Sequence, residues 1–207
     1  MGRALKFLTT GAFACVICAC SQNGAEAQST PEKPEQKTTN EIQANWTVDS
    51  SASVLGFMGS QGGEEFEGRF KNFDASIKFD PEDLQNTNVV VTIDMASVDA
   101  GDAERNEALP GKEWFAVKPF PNAVFTSTSI KHTGGNSYEA SGELTLKDIS
   151  RAVDLPFELK IDGDTAEMSG STLIDRTDFQ VGTGMWKSED WVAHKVKINV
   201  KITAARK

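Results

Sequence analysis

Ala152-Val-Asp-Leu-Pro-Phe-Glu-Leu-Lys-Ile161 decides the class of this chain. Val153, Leu155, Phe157, Leu159 and Ile161 are apolar, and Ala152, Asp154, Pro156, Glu158 and Lys160 interleave them. Successive side chains of a strand point to opposite faces, so a period of two gives one buried and one wet face. The same period recurs on either side. Tyr138, Ala140, Gly142, Leu144 and Leu146 alternate with polar residues, as do Val192, Val196, Ile198, Val200 and Ile202. Val89, Val91, Ile93 and Met95 make a further run. Asp80-Pro81, Gly134-Gly135-Asn136 and Asp162-Gly163-Asp164 punctuate the runs as turns. Segments 137–147, 152–161, 165–175 and 190–204 are joined by so little chain that they pair as antiparallel hairpins.

One segment changes phase. Phe66, Gly68 and Phe70 share a parity, while Phe73, Ala75, Ile77 and Phe79 occupy the other. A bulge or bend near Lys71-Asn72 turns both sets inward, as barrels require where a strand curls. Only Asp102 to Leu109 reads as helix, opening with acids and ending before Pro110-Gly111. A helix of about two turns must lean on the rest of the fold. The chain is therefore expected to be all-β, an antiparallel barrel of about eight strands with a short capping helix. Such a barrel either fills its interior with side chains or keeps a ligand cavity. Twelve phenylalanines against one tyrosine leave both open, because apolar rings suit a solid core and a greasy lumen alike.

The chain starts as an export signal does, with Arg3 and Lys6 before an apolar run from Phe7 to Cys18. That run is too short to span a bilayer, which needs about twenty residues. Ile17-Cys18-Ala19-Cys20 resembles a lipoprotein cleavage motif, which would leave Cys20 lipid-modified. Ala25-Glu26-Ala27 offers an ordinary cleavage site before Gln28. The expected organisation is a signal peptide over 1–20, a disordered polar linker over 21–44 and a barrel domain over 45–207. Residues 21–44 carry too little apolar surface to offset their ordering entropy. Export places the domain in the periplasm, tethered to a membrane if Cys20 is lipidated.

The net charge of -9 repels phosphate backbones, which argues against nucleic acid. Cys15, Cys18 and Cys20 are the only cysteines, so the domain carries no disulfide and no cysteine nucleophile. His132 sits beside a Gly-Gly turn, and His194 shares parity with Val192 and Val196 and is expected to point inward. Two distant histidines do not make a metal site. Glu64, Glu65, Glu67 and the acids around the helix read as solvated surface rather than a glycosidase pair. No G-x-S-x-G elbow is present, and Gly182-Thr183-Gly184 is too short to cradle phosphates. The reading is a protein that is not an enzyme and needs no cofactor or metal.

Trp46-Thr-Val-Asp49, Ser53-Val-Leu-Gly-Phe57 and Gly68-Arg-Phe70 with Phe73 resemble the opening of the YceI-like family. Tyr138 to Gly142, Leu144-Thr-Leu-Lys-Asp-Ile149 and Ile174-Asp-Arg-Thr-Asp-Phe179 follow in the family's order. Arg105 to Phe115 and Phe120 to Phe125 are similar to a subgroup associated with cytochrome b561. Ala52 and Asn106 depart from the His and Asp that many members carry. The resemblance implies a lipocalin-like extended barrel with an internal channel for an isoprenoid-type lipid, a polyprenyl compound or a quinone. It also implies a possible cytochrome b561-type partner and no reaction. Phe57, Phe70, Phe73, Ala75, Ile77, Phe79, Phe157 and Phe179 are the expected channel wall. Trp114, Phe115 and Phe120 are expected at its end, as plug or as lip. Arg105, Arg176 and His194 are candidate head-group contacts. The competing expectation is a structural envelope protein whose barrel is packed solid and whose surface binds a partner.

Overall fold

A computed structural model describes residues 43–207. The leader, Cys20 and all but the last two residues of the linker lie outside the described residues. Strands β1 (Trp46–Val48), β2 (Val54–Gln61), β3 (Glu64–Phe70), β4 (Phe73–Lys78), β5 (Asn88–Asp94) and β6 (Val98–Asp99) come first. Helix α1 (Ala103–Ala108) follows, then β7 (Asn122–Gly134), β8 (Ser137–Leu146), β9 (Ile149–Asp162), β10 (Thr165–Asp175) and β11 (Lys195–Arg206). The ring runs β1-β4-β5-β7-β8-β9-β10-β11 and closes through β1 on β11, with every pair antiparallel. Strands β2, β3 and β6 continue β1, β4 and β5 beyond short breaks, so the barrel has eight staves.

The hairpins expected from β8 to β10 form, and their turns explain the register; β11 also pairs antiparallel with β10, but across residues 176–194. Lys147 and Asp148 join β8 to β9 with φ of 54° and 57°. Two left-handed residues make the turn whose twist matches that of the flanking strands. The break at Lys71-Asn72 does what the phase change requires: Phe66 and Phe70 before it, and Phe73, Ala75 and Ile77 after it, all face the interior.

Strand β7 was not legible in the sequence. A register shift between Ser127 and Ser129 flips its parity, so Phe125 and Ile130 both face inward although they differ in parity. The run toward the C-terminus is shorter than expected. Strand β11 begins only at Lys195, which removes His194 from the strand and from its alternation.

Helix α1 is capped by Asp102, whose carboxylate accepts from the backbone of Glu104 and Arg105. Asn106 ties the helix to β6, accepting from Ala100 N at 2.7 Å and donating to Asp99 at 3.2 Å. Lys71, then the Gly101 N–H and Asn106, hold the Asp99 carboxyl down at about 2, from an ordinary 3.8. A depressed folded value means this contribution is complete above the ordinary value and lost as pH falls through about 2. Wild type is therefore expected to lose melting temperature between about pH 4 and 2 more steeply than Asp99→Asn. Equal slopes would show that Asp99 carries no such linkage.

Among the described residues no group of three metal-ligating side chains occurs. Chelator and reductant are expected to leave the melting temperature unchanged, and a clear drop with chelator would reveal a metal site.

Candidate functional site

The barrel encloses a cavity of about 290 Å³. Val153, Leu155, Phe157, Leu159 and Ile161 of β9 line it, as do Val196, Ile198, Val200 and Ile202 of β11. Most of these inward residues are only half-buried, although they face away from solvent outside the barrel. In a solid core such a row would be fully buried by its partners. The inward face keeps its accessibility because it borders open space, so the barrel has a lumen. Among the described residues, Thr172 and Arg176 supply the only hydroxyl and the only charge on its wall. The Trp46 indole is satisfied within the fold, donating to Phe79 O at 3.0 Å.

Two apolar clusters bound the lumen. At one end Trp46, Phe79 and Phe157 are buried, and Tyr138 stacks on Phe157 with ring centroids 5.5 Å apart. At the other, Phe57, Phe70 and Phe115 pack in series at 5.7 and 5.8 Å, with Met95 and Phe179 fully buried beside them.

Arg176 builds that second end. Its side chain is buried, and Nε donates to Ala193 O at 3.0 Å. Nη1 donates to Val181 O at 2.7 Å and Gly182 O at 3.2 Å. Nη2 reaches Trp186 O and Val192 O, each at 2.7 Å. A guanidinium has five N–H groups, and all five are engaged by backbone carbonyls. Its plane also lies 5.7 Å from the Trp114 ring. Burial pulls its pKa down, and Asp175 and Glu189 act against that. Arg176 therefore organises the segment from Val181 to Ala193, and the expectation that it meets a head group is corrected.

The other two candidates are corrected for a different reason. Arg105 lies outside the lumen, over the Phe66 ring at 4.5 Å, with Nε donating to Ala100 O. His194 also lies outside, with Nε2 at 2.7 Å from Lys187 O and Nδ1 at 3.5 Å from Glu189. Phe57, Phe70, Phe73, Ala75, Ile77, Phe79, Trp114, Phe115, Phe157 and Phe179 line the lumen. Phe120 does not line it; it sits half-buried just before β7. Phe66, Phe125, Ile130, Leu144 and Met95 line it too and were not singled out. The parity of Phe66 with Phe70 was a usable signal, whereas the β7 bulge hid the relation of Phe125 to Ile130.

The YceI-like domain matches residues 46–204, nearly the whole of the described barrel. The chain belongs to the YceI-like family. It is 40% identical to Protein YceI of Salmonella arizonae over 97 residues, 47% of this chain and 50% of that protein. It is 41% identical to a UPF0312 protein of Photorhabdus laumondii over 96 residues, 46% of this chain and 50% of that one. The match thus spans half the length of these curated relatives. The crystal structure of Burkholderia cenocepacia BcnA is 38% identical with a TM-score of 0.74, over 77% of this chain and 100% of that one. A polyisoprenoid binding domain from Saccharophagus degradans shares the fold, with a TM-score of 0.64 at 15% identity over 79% of this chain and 99% of that domain.

Proposed function

We propose that this YceI-like chain is an exported carrier that shelters an apolar isoprenoid-type lipid, a polyprenyl compound or an isoprenoid quinone, inside its barrel. The observation that carries the reading is a lumen walled almost entirely by hydrocarbon and aromatic rings. Each CH₂ removed from water contributes about 0.8 kcal/mol, so a long tail binds without polar contacts. Arg176 has no free donor, and Arg105 and His194 lie outside, so recognition rests on the tail. The fold it shares with the polyisoprenoid binding domain of Saccharophagus degradans supports the same reading. The proposed role is binding without catalysis or cofactor, in the periplasm. The segments around 105–115 and 120–125 support a membrane cytochrome of the b561 type as partner.

Native mass spectrometry and organic extraction of the exported protein test this. A lipid-sized adduct and an extractable isoprenoid are expected, and lipid-free protein in every preparation would overturn the reading.

The membrane tether is part of the proposal. Cys20→Ala is expected to move the protein from the membrane to the soluble envelope fraction. Wild-type protein already soluble, with Gln28 as its first residue, would refute lipidation.

A further inference from the structure

The ladder between β9 and β10 stops half-way. It runs from Asp162 opposite Thr165 to Phe157 opposite Gly170, although both strands continue. Beyond that rung, Ile149–Pro156 stays paired with β8 and Ser171–Asp175 with β11. The cause lies in the sequence. Leu159 donates its N–H to Asn136 O at 2.9 Å, toward β8. By the alternation of an antiparallel ladder, even-numbered residues of β9 turn their N–H toward β10. Pro156 therefore lacks its N–H where the next rung to β10 would form. Gly170 crosses close to it, so that an added Cβ would stand 2.7 Å from the Pro156 carbonyl oxygen. The strands part after this crossing. The far end of the slot is bridged by Lys147 Nζ, which donates to Gln180 O at 2.6 Å.

Val153 and Leu155 on one side of the slot and Thr172 and Ile174 on the other all line the lumen. A chain passing here breaks no backbone hydrogen bond between the two strands. At the outer lip, Leu173 is 67% exposed and stands in register with Lys197, which in turn faces Met58 on β2. Val54, 45% exposed, is in register with Lys201 on the same outer face. Exposed Met185 and Trp191 lie on the segment that leads into β11. Among the described residues, these four are the exposed large hydrophobic side chains, and two of them, Leu173 and Val54, stand in register with Lys197 and Lys201. Lys195 pairs with Asp175 at 3.4 Å, whereas Lys197 and Lys201 make no ion pair among the described residues. Acidic charge returns at Glu167 toward the far end of β10, at Asp154 across the slot, and at Glu67, Glu189 and Asp190. Apolar side chains flanked by lysines fit an anionic bilayer, entering the headgroup boundary while the ammonium groups meet lipid charge.

The wall has a second break, between Trp46 opposite Ile77 and Leu55 opposite Phe70. Its outer cleft sets Thr47, Ser50, Asp74, Ser76 and Lys207 beside Trp46, Val48, Phe73 and Ala75. A hydrocarbon tail crossing there would strip water from those polar groups. The other slot carries Asp154 and Ser171 on its outer side, and it differs in presenting the exposed apolar side chain of Leu173.

We infer that lipid passes sideways between an anionic bilayer and the lumen through the β9–β10 slot, with the outer face of β2, β10 and β11 docked on the membrane. This rests on the carrier reading of the lumen. The test uses the exported full chain with Cys20→Ala, so that no N-terminal anchor contributes. Donor vesicles of phosphatidylcholine, with or without phosphatidylglycerol, carry a polyprenyl alcohol, and both transfer rate and equilibrium loading are measured. Leu173→Glu is expected to slow transfer roughly tenfold, the effect of losing the burial of one large apolar side chain. Lys197→Glu is expected to lower the rate advantage that phosphatidylglycerol confers. Both should load fully at equilibrium, and Ser76→Trp at the other break should transfer at the unsubstituted rate. Unslowed transfer by Leu173→Glu, or slowing by Ser76→Trp alone, overturns the portal and leaves the carrier reading standing. No loading of the unsubstituted chain overturns both.

Discussion

Replacing Arg176 with alanine is expected to lower the melting temperature by roughly 10 °C, the loss of about 3–5 kcal/mol in a domain of this size. The reason is the number of groups one side chain satisfies. The carbonyls of Val181, Gly182, Trp186, Val192 and Ala193 all converge on the guanidinium. A buried acceptor left unsatisfied costs about 1–3 kcal/mol. Part of the segment is exposed and can turn to water, so the total stays below the sum of five such losses. Arg176→Lys should rescue little, because an ammonium is a compact charge with three donors and cannot reach five carbonyls arranged around a planar fork. Thermal melts of wild type and both variants decide the matter. A shift of about 2 °C or less for Arg176→Ala would mean that the segment holds itself in place.

The same residue shows where a sequence stops being informative. An arginine in an apolar setting signals a purpose, but its type does not reveal whether its donors face a ligand or the backbone. That depends on where residues 181–193 run, and the segment has no periodicity from which its path can be read. His194 fails more simply. Parity is a valid guide only inside a strand, and β11 starts one residue later. The staves β8 to β11 were legible because Val153 to Ile161 and Val196 to Ile202 alternate without interruption, and two-residue turns fix the register of β8 on β9 and of β9 on β10. Strand β7 was hidden by two extra residues, one breaking the period in the middle of thirteen and one near the turn. The distinction between solid core and lumen was not legible at all. Both demand the same inward phenylalanines and valines, and they differ only in the distance across the barrel.

Ala75→Trp is expected to abolish lipid loading while leaving the fold intact, and the lumen itself gives the reason. Ala75 stands between Phe73 and Ile77 on the inward face of β4, in register with Val91, and it lines the cavity. In a close-packed interior an indole at that point would strain its neighbours by about 1–3 kcal/mol. Here it projects into a space of about 290 Å³ and takes room that a tail needs. The melting temperature should therefore stay within about 2 °C of wild type. Truncations give the complementary measurement. Phe179 is 1% exposed, so Phe179→Ala should incur close to the full core penalty of about 3–5 kcal/mol. Phe73 is half-buried and borders the lumen, so Phe73→Ala removes fewer contacts and should cost well under that. The two readouts are the melting temperature of each purified variant and the lipid extracted from it. If Ala75→Trp unfolds the domain, and Phe73→Ala costs as much as Phe179→Ala, the barrel interior is a packed core in solution. If Ala75→Trp folds and still loads lipid as wild type does, the tail lies elsewhere than in the lumen.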